Sequence, residues 1–173
     1  MDAATEHRNR PPGPSSPGAS IDRVKAALGA LGIHDAAIVL FPEGTATAVD
    51  AAAAIGTSVG SIVKSMIFLA GEQPVLVLTS GPNRVDVGKV AQLVGRDVTR
   101  ASANQVRQHT GFAIGGVPPV GHTTQLEAYV DRDLLQYDQV WAAAGTPNTV
   151  FPIDPHVLAR ITNARVADVA QST

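Results

Sequence analysis

The chain contains no cysteine. A disulfide framework, a thiolate metal site and a cysteine nucleophile are therefore all excluded. Charge is sparse: Asp, Glu, Lys and Arg make up 16% of residues, and there are only three lysines, Lys25, Lys64 and Lys89. Aromatic residues are 4% of the chain. No apolar run approaches the roughly 20 residues needed to span a bilayer. The N-terminus is polar and proline-rich, unlike a signal peptide. These absences fit a cytoplasmic protein with no membrane partner. None of the five histidines falls in a metal-ligand spacing such as H-E-x-x-H, so no metal site is expected. Gly88-Lys89-Val90 lacks the upstream glycine and the hydroxyl residue of a phosphate-binding P-loop, and no G-x-G-x-x-G is present. Nucleotide hydrolysis and dinucleotide binding are unsupported, and no cofactor is expected.

What is present is an apolar fraction of 45% in 173 residues, enough for one domain with a sizeable core. Residues 1–19 hold Pro11, Pro12, Pro14 and Pro17 among Ser and Gly, and read as a disordered or extended tail. Residues 20–173 read as the folded domain. Net charge is −2 overall. Residues 60–110 carry six cations against Glu72, Asp86 and Asp97, a local net charge of +3. That balance suits either an RNA end or an ordinary solvated surface.

Ser20 is expected to cap a first helix ending near Gly32, and residues 36–41 read as a strand. Thr47 caps a second helix that stops at Gly56. Residues 62–70 and 75–79 form two strands joined by a short turn, a hairpin signal. The second of these, Val75-Leu76-Val77-Leu78, is apolar at successive positions and is expected to be covered on both faces. Asp86 caps a third helix, residues 98–100 make a short strand, and Ser102 with Gln105 forms a capping box. Strands are expected at residues 112–114, 126–130, 140–144 and 149–153. Asp154-Pro155 opens a last helix. Strands and helices interleave, yet several strand pairs are joined by turns too short for parallel crossovers. The predicted fold is mixed α/β (α+β): a largely antiparallel central sheet, partly curled, surrounded by helices.

Three features carry candidate chemistry. Residues 111–121 place paired glycines, Gly115 and Gly116, before Val117 and the paired prolines Pro118 and Pro119. The glycines permit close backbone approach and the prolines stiffen the loop. Such a loop holds N–H groups where an oxyanion needs them, or is simply a tight connection. Lys64 alternates with Ile62, Met66 and Phe68 on one strand face. An unpaired buried ammonium is costly, so Lys64 either meets an anion in a pocket or snorkels to water. Gly56-Thr57-Ser58-Val59-Gly60 matches the nucleophile-elbow pattern, but a helix precedes it and a strand follows, the reverse of what that motif needs. His122, directly after the loop, either lines a site or sits on the surface.

Four segments in order complete the pattern: residues 58–65 with Lys64, residues 86–91, the 110–121 loop and the 143–151 hairpin. Together, over roughly residues 20–170, they resemble the YbaK/EbsC family of aminoacyl-tRNA editing domains, related to the editing insertion of bacterial prolyl-tRNA synthetases. The resemblance implies a YbaK-like fold and a trans-acting deacylase that hydrolyses the ester of mischarged tRNA, commonly tRNA for proline. An aminoacyl-tRNA synthetase is the partner it suggests. It further implies that Lys64 holds the phosphate of the terminal adenosine and that Gly115, Gly116, Val117, Pro118 and Pro119 hold the aminoacyl group through backbone contacts. Gly145, Thr146 and Asn148 would shape a wall. No protein nucleophile or metal is implied, since the tRNA's own vicinal hydroxyl and an oriented water supply the chemistry. One departure is Pro118-Pro119, where many relatives carry Ser or another small residue beside a single proline. Two rival functions stand beside the deacylase: a non-catalytic module binding a tRNA end or a synthetase, and an esterase of small acyl compounds.

Overall fold

The structure is a computed structural model and describes residues 16–42 and 47–172. Helix α1 spans Pro17–Ala30, with Ser16 as its cap and Pro17 in its first turn. It starts earlier than expected because a Ser-Pro pair combines a side-chain cap with a pre-set φ. Ser20 lies inside the helix and is buried. Of the expected tail, residues 1–15 lie outside the described residues and 16–19 open this helix. Strand β1 is only Val39–Leu40, a short edge piece against β7 (Thr149–Ile153). Helix α2, Ala48–Ile55, has Thr47 as its cap and ends on Gly56 at φ 82°. By sequence, Pro42 and Gly44 would stop the strand expected at 36–41; Gly44 lies outside the described residues.

A 3₁₀ turn at Val59–Ser61 leads into β2, Val63–Ala70, which pairs antiparallel with β3, Gln73–Ser80. Helix α3 (Val87–Val94), β4 (Thr99–Arg100) and α4 (Ala103–Thr110) follow, and α4 carries the full Ser102/Gln105 capping box. Residues 112–114 are not a strand. Phe112 is buried beneath Arg23, and the chain stays irregular up to β5, Glu127–Asp131. Next come β6 (Val140–Ala143), β7, α5 (Pro155–Ile161) and β8 (Arg165–Ala167), the last unforeseen in the sequence.

The strands are mixed and largely antiparallel as expected, but they divide into two sheets. One has the order β4-β2-β3-β5-β8 and the other β1-β7-β6. Among the described residues, four of the six pairings are antiparallel; β3–β5 and β5–β8 are parallel. The two-residue turn after β2 permits only a hairpin, whereas the long passage through α3 and α4 lets β5 return parallel. A parallel bridge between Ile62 and Trp141 joins the sheets without closing them into a barrel.

Alternation along β2 and β3 sorts the core. Ile67, Leu69, Leu76 and Leu78 pack with Val24 and Leu28 of α1, Val106 of α4 and Leu158 of α5. Phe68, Val75 and Val77 pack with Val90 of α3. Residues 75–78 are at most 1% exposed, so β3 is covered on both faces as its composition demands. Each fully buried Leu or Val contributes about 1.5–3 kcal/mol to this arrangement.

Candidate active site

The outer edge of β2 is incompletely paired. Trp141 bridges it at Ile62, and β4 joins only at Phe68 and Leu69. Between these points a cavity of about 490 Å³ opens on the edge. Thr47, Ala48 and Ala51 of the α2 segment form one wall. Trp141, Ala143 and Pro147 form another, and Ile114, Gly115 and Val117 supply the loop side. Val63, Lys64, Ser65, Arg100 and Val106 complete the lining. The walls are mainly apolar, and the two cations among their described residues are Lys64 and Arg100. Among the described lining residues there is no histidine and no carboxylate.

Lys64 does not float free. Its Nζ donates to the main-chain oxygen of Asn83 at 2.6 Å. Burial pushes its pKa below the ordinary lysine value, the nearby Arg84 guanidinium pushes the same way, and Asp131 opposes both. An ammonium has three donors, so two remain for a ligand after Asn83 is served. Lys64 thus reaches the pocket that its misplaced charge suggested. Arg84, Lys64 and Arg100 concentrate part of the local positive balance here; Lys89 is spent on Asp168 at 3.0 Å.

The loop is held from several sides. Gly111 ends α4 at φ 81°, and the Arg23 guanidinium donates to its carbonyl at 3.4 Å while lying 5.0 Å above the Phe112 ring. The Gly116 N–H closes a turn onto Ala113 O at 3.1 Å. That N–H is therefore unavailable to a substrate, contrary to the expectation placed on Gly116. Among the described residues, the N–H groups of Gly115 and Val117 have no protein partner. Gly116 matters differently: a Cβ there would stand 2.8 Å from the Thr146 backbone, so the two loops touch main chain to main chain. Pro118 is buried and is not part of the cavity lining, and its carbonyl lies 2.6 Å from Nε2 of His122. Burial lowers the His122 pKa, against the opposing effect of that bond, so the neutral ring donates Nε2–H. Pro119 lines a second cavity of about 310 Å³ on the far side of the loop.

The 145–148 turn is likewise a support. Gly145, at φ 106°, sits against Ser20 O of α1. The Thr146 hydroxyl bonds Thr149 and Asn148, and the Asn148 amide donates to Phe41 O at 2.9 Å. Only Pro147 of this turn reaches the cavity. Lys64, Gly115 and Val117 therefore share the cavity, whereas Gly116, Pro118, Pro119, Gly145, Thr146 and Asn148 frame it. Sequence reasoning missed Ser65, Arg100, Trp141 and Asn83. Arg100 was visible only in the local charge count. Ser58 is exposed outside the cavity, and its carbonyl accepts from Ser61 Oγ at 2.8 Å. No cluster able to hold a metal ion occurs among the described residues, and none of their helices is long and apolar enough to cross a membrane.

The profile described as the aminoacyl-tRNA editing domain matches residues 42–161. The chain belongs to this family. The crystal structure of a candidate trans-editing enzyme for prolyl tRNA synthetase is 48% identical to this editing domain. It superposes with a TM-score of 0.86, covering 91% of this chain and 99% of that one. The uncharacterized protein YwhH of Bacillus subtilis (strain 168) is 33% identical over 127 residues, 73% of this chain and 81% of YwhH. EbsC of Enterococcus faecalis (strain ATCC 700802 / V583), named as a candidate Cys-tRNA(Pro)/Cys-tRNA(Cys) deacylase, is 24% identical over 120 residues. That alignment covers 68% of this chain and 73% of EbsC.

Proposed function

We propose that this editing domain is a trans-acting deacylase that hydrolyses the ester of mischarged aminoacyl-tRNA, with tRNA(Pro) as the favoured carrier. The observation that carries the reading is the cavity itself. Two cations line it beside Gly115 and Val117, whose N–H groups have no partner among the described residues, and its walls are otherwise mainly apolar, with no general base among its described side chains. In this reading Lys64 and Arg100 hold the phosphate next to the terminal adenosine, and the 114–117 loop meets the acyl group. Water adds its oxygen to the ester carbonyl carbon, and the carbonyl oxygen becomes an oxyanion facing the loop donors. The C–O bond to the ribose then breaks, and the ribose oxygen leaves with a proton. The attacking water's other proton passes to bulk solvent, and the amino acid departs as its carboxylate.

An ester is activated enough for positioning and electrostatics to suffice. One well-placed oxyanion donor lowers the barrier by about 3–4 kcal/mol. Gly116 and the 145–148 turn act as structural supports. The apolar lining favours a small uncharged amino-acid side chain. A prolyl-tRNA synthetase is the partner this function supplies, since it releases the tRNA to be proofread.

The test is a panel of tRNA(Pro) charged with different amino acids, each incubated with the protein. Hydrolysis of at least one mischarged species, with prolyl-tRNA(Pro) spared, supports the reading. Binding without hydrolysis would favour a non-catalytic module, and equal turnover of a small amino-acid ester would favour a general esterase.

A further inference from the structure

Asp131 is a buried carboxylate at the end of β5, 1% exposed, that the proposed chemistry leaves unused. Its Oδ2 accepts from the Thr79 hydroxyl at 3.0 Å, the Ser80 N–H at 3.1 Å and the Asn83 side-chain amide at 2.9 Å. Its Oδ1 accepts from the Asp133 N–H at 3.0 Å. All four donors are neutral, and among the described residues Asp131 makes no ion pair. A buried charge satisfied only by neutral donors is expensive to keep. Shape alone does not require it.

The cation that its charge reaches is Lys64, one residue removed. Asn83 is the spacer. Its side-chain amide donates to Asp131 and, at 2.7 Å, to Asp133, while its main-chain oxygen receives the Lys64 ammonium. Both connections run through a single residue in the turn after β3. A direct salt bridge would occupy the ammonium and compete with a phosphate. A carbonyl aimed at the ammonium, with the carboxylate one step behind, steadies the charge and leaves it available.

We propose that Asp131 and Asn83 are a positioning couple for Lys64: the carboxylate anchors the Asn83 turn, and the turn's carbonyl fixes the ammonium where substrate phosphate meets it. This rests on the reading of the cavity as the deacylation site. Neither residue touches substrate; both act through Lys64.

Coupling is the distinguishing property. The probe is tRNA(Pro) carrying alanine through a non-hydrolysable 3′-amide, alanine being a small side chain that keeps the α-amino group. Binding is measured by fluorescence anisotropy for the wild type, Asn83→Ala, Lys64→Ala and the double variant. Asn83→Ala should weaken binding about tenfold with Lys64 present and less than twofold with Lys64 removed, since a residue acting only through Lys64 has nothing left to position. Asp131→Asn should show the same dependence. Asn83 is only partly buried, so its variant keeps the test valid even if Asp131→Asn does not fold. Equal factors in both backgrounds would overturn the couple while leaving the site reading intact. No binding by the wild-type protein would overturn the site reading, and this inference with it.

Discussion

Replacing Gly116 by alanine isolates the contact between the two loops that frame the cavity. Gly116 is not among the positive-φ glycines, so alanine can adopt its backbone conformation without penalty. The effect is purely steric. The added Cβ would lie 2.8 Å from both Cα and C of Thr146 and 3.1 Å from Gly145 O. Those atoms are backbone, and their turn is tied to Thr149, Phe41 and α1. Carbon atoms settle at about 3.5–4.0 Å, so the loops must part by about 1 Å. Overpacking of this kind costs about 1–3 kcal/mol in stability. A displacement of about 1 Å near reacting atoms costs on the order of a hundredfold in rate. Single-turnover hydrolysis of mischarged tRNA(Pro), with a thermal melt to confirm folding, measures both. The Gly116→Ala protein should remain folded, melt lower and hydrolyse about a hundredfold more slowly. A folded variant with wild-type rate would refute the claim that loop-to-loop contact sets the donor positions. Gly115→Ala is the control: it meets only Pro147 at 3.8 Å, so its cost is backbone strain at φ 89°, about 1–2 kcal/mol.

Three further outcomes follow from individual groups. Ser65 Oγ is buried without a partner among the described residues, so Ser65→Ala should raise stability by about 1 kcal/mol, seen as a higher Tm; a lower Tm would contradict this. The Lys64 pKa is lowered mainly by burial, so its ammonium loses its proton at a pH below the ordinary lysine value of about 10.4. Activity that needs the charge falls as pH rises through that lowered pKa; Lys64→Arg should abolish this alkaline limb, and persistence of the limb would assign it to another group. His122→Ala removes the donor that steadies Pro118 O and should lower kcat/KM about tenfold, with His122→Gln partly restoring it, as for the loss of a buried hydrogen bond of about 1–1.5 kcal/mol.

Local signals in the sequence were largely legible. Thr47, Asp86, Ser102 and Asp154 cap helices where expected, and Gly56, Gly95 and Gly111 end three of them. Each is a property of a few adjacent residues. The hairpin of β2 and β3 was legible because its turn is short. The split into two sheets was not, since it depends on Trp141 meeting Ile62 across 79 positions, where no local pattern records the pairing. Strand β8 was missed for the same reason: three residues, largely exposed, gain their conformation only by lying against β5.

The site divided along the same line. Lys64 stood out because an ammonium is costly among apolar strand neighbours, and it does line the cavity. The glycine–proline loop was visible as stiff, but which N–H groups remain free was not. That depends on the Gly116-to-Ala113 turn, a hydrogen bond that composition does not predict. Asn83 was invisible because its contribution to Lys64 is a main-chain oxygen, which any residue type carries.

Lys64, with Arg100 and the backbone donors of the loop, positions the ester for attack by water without a nucleophilic side chain. The most direct test of this role is single-turnover hydrolysis of mischarged tRNA(Pro) by the wild type and by Lys64→Ala, with melting curves recorded for both. The Lys64→Ala protein should melt like the wild type and lose most of its hydrolytic rate. A folded Lys64→Ala protein that still deacylates at the wild-type rate would contradict this role.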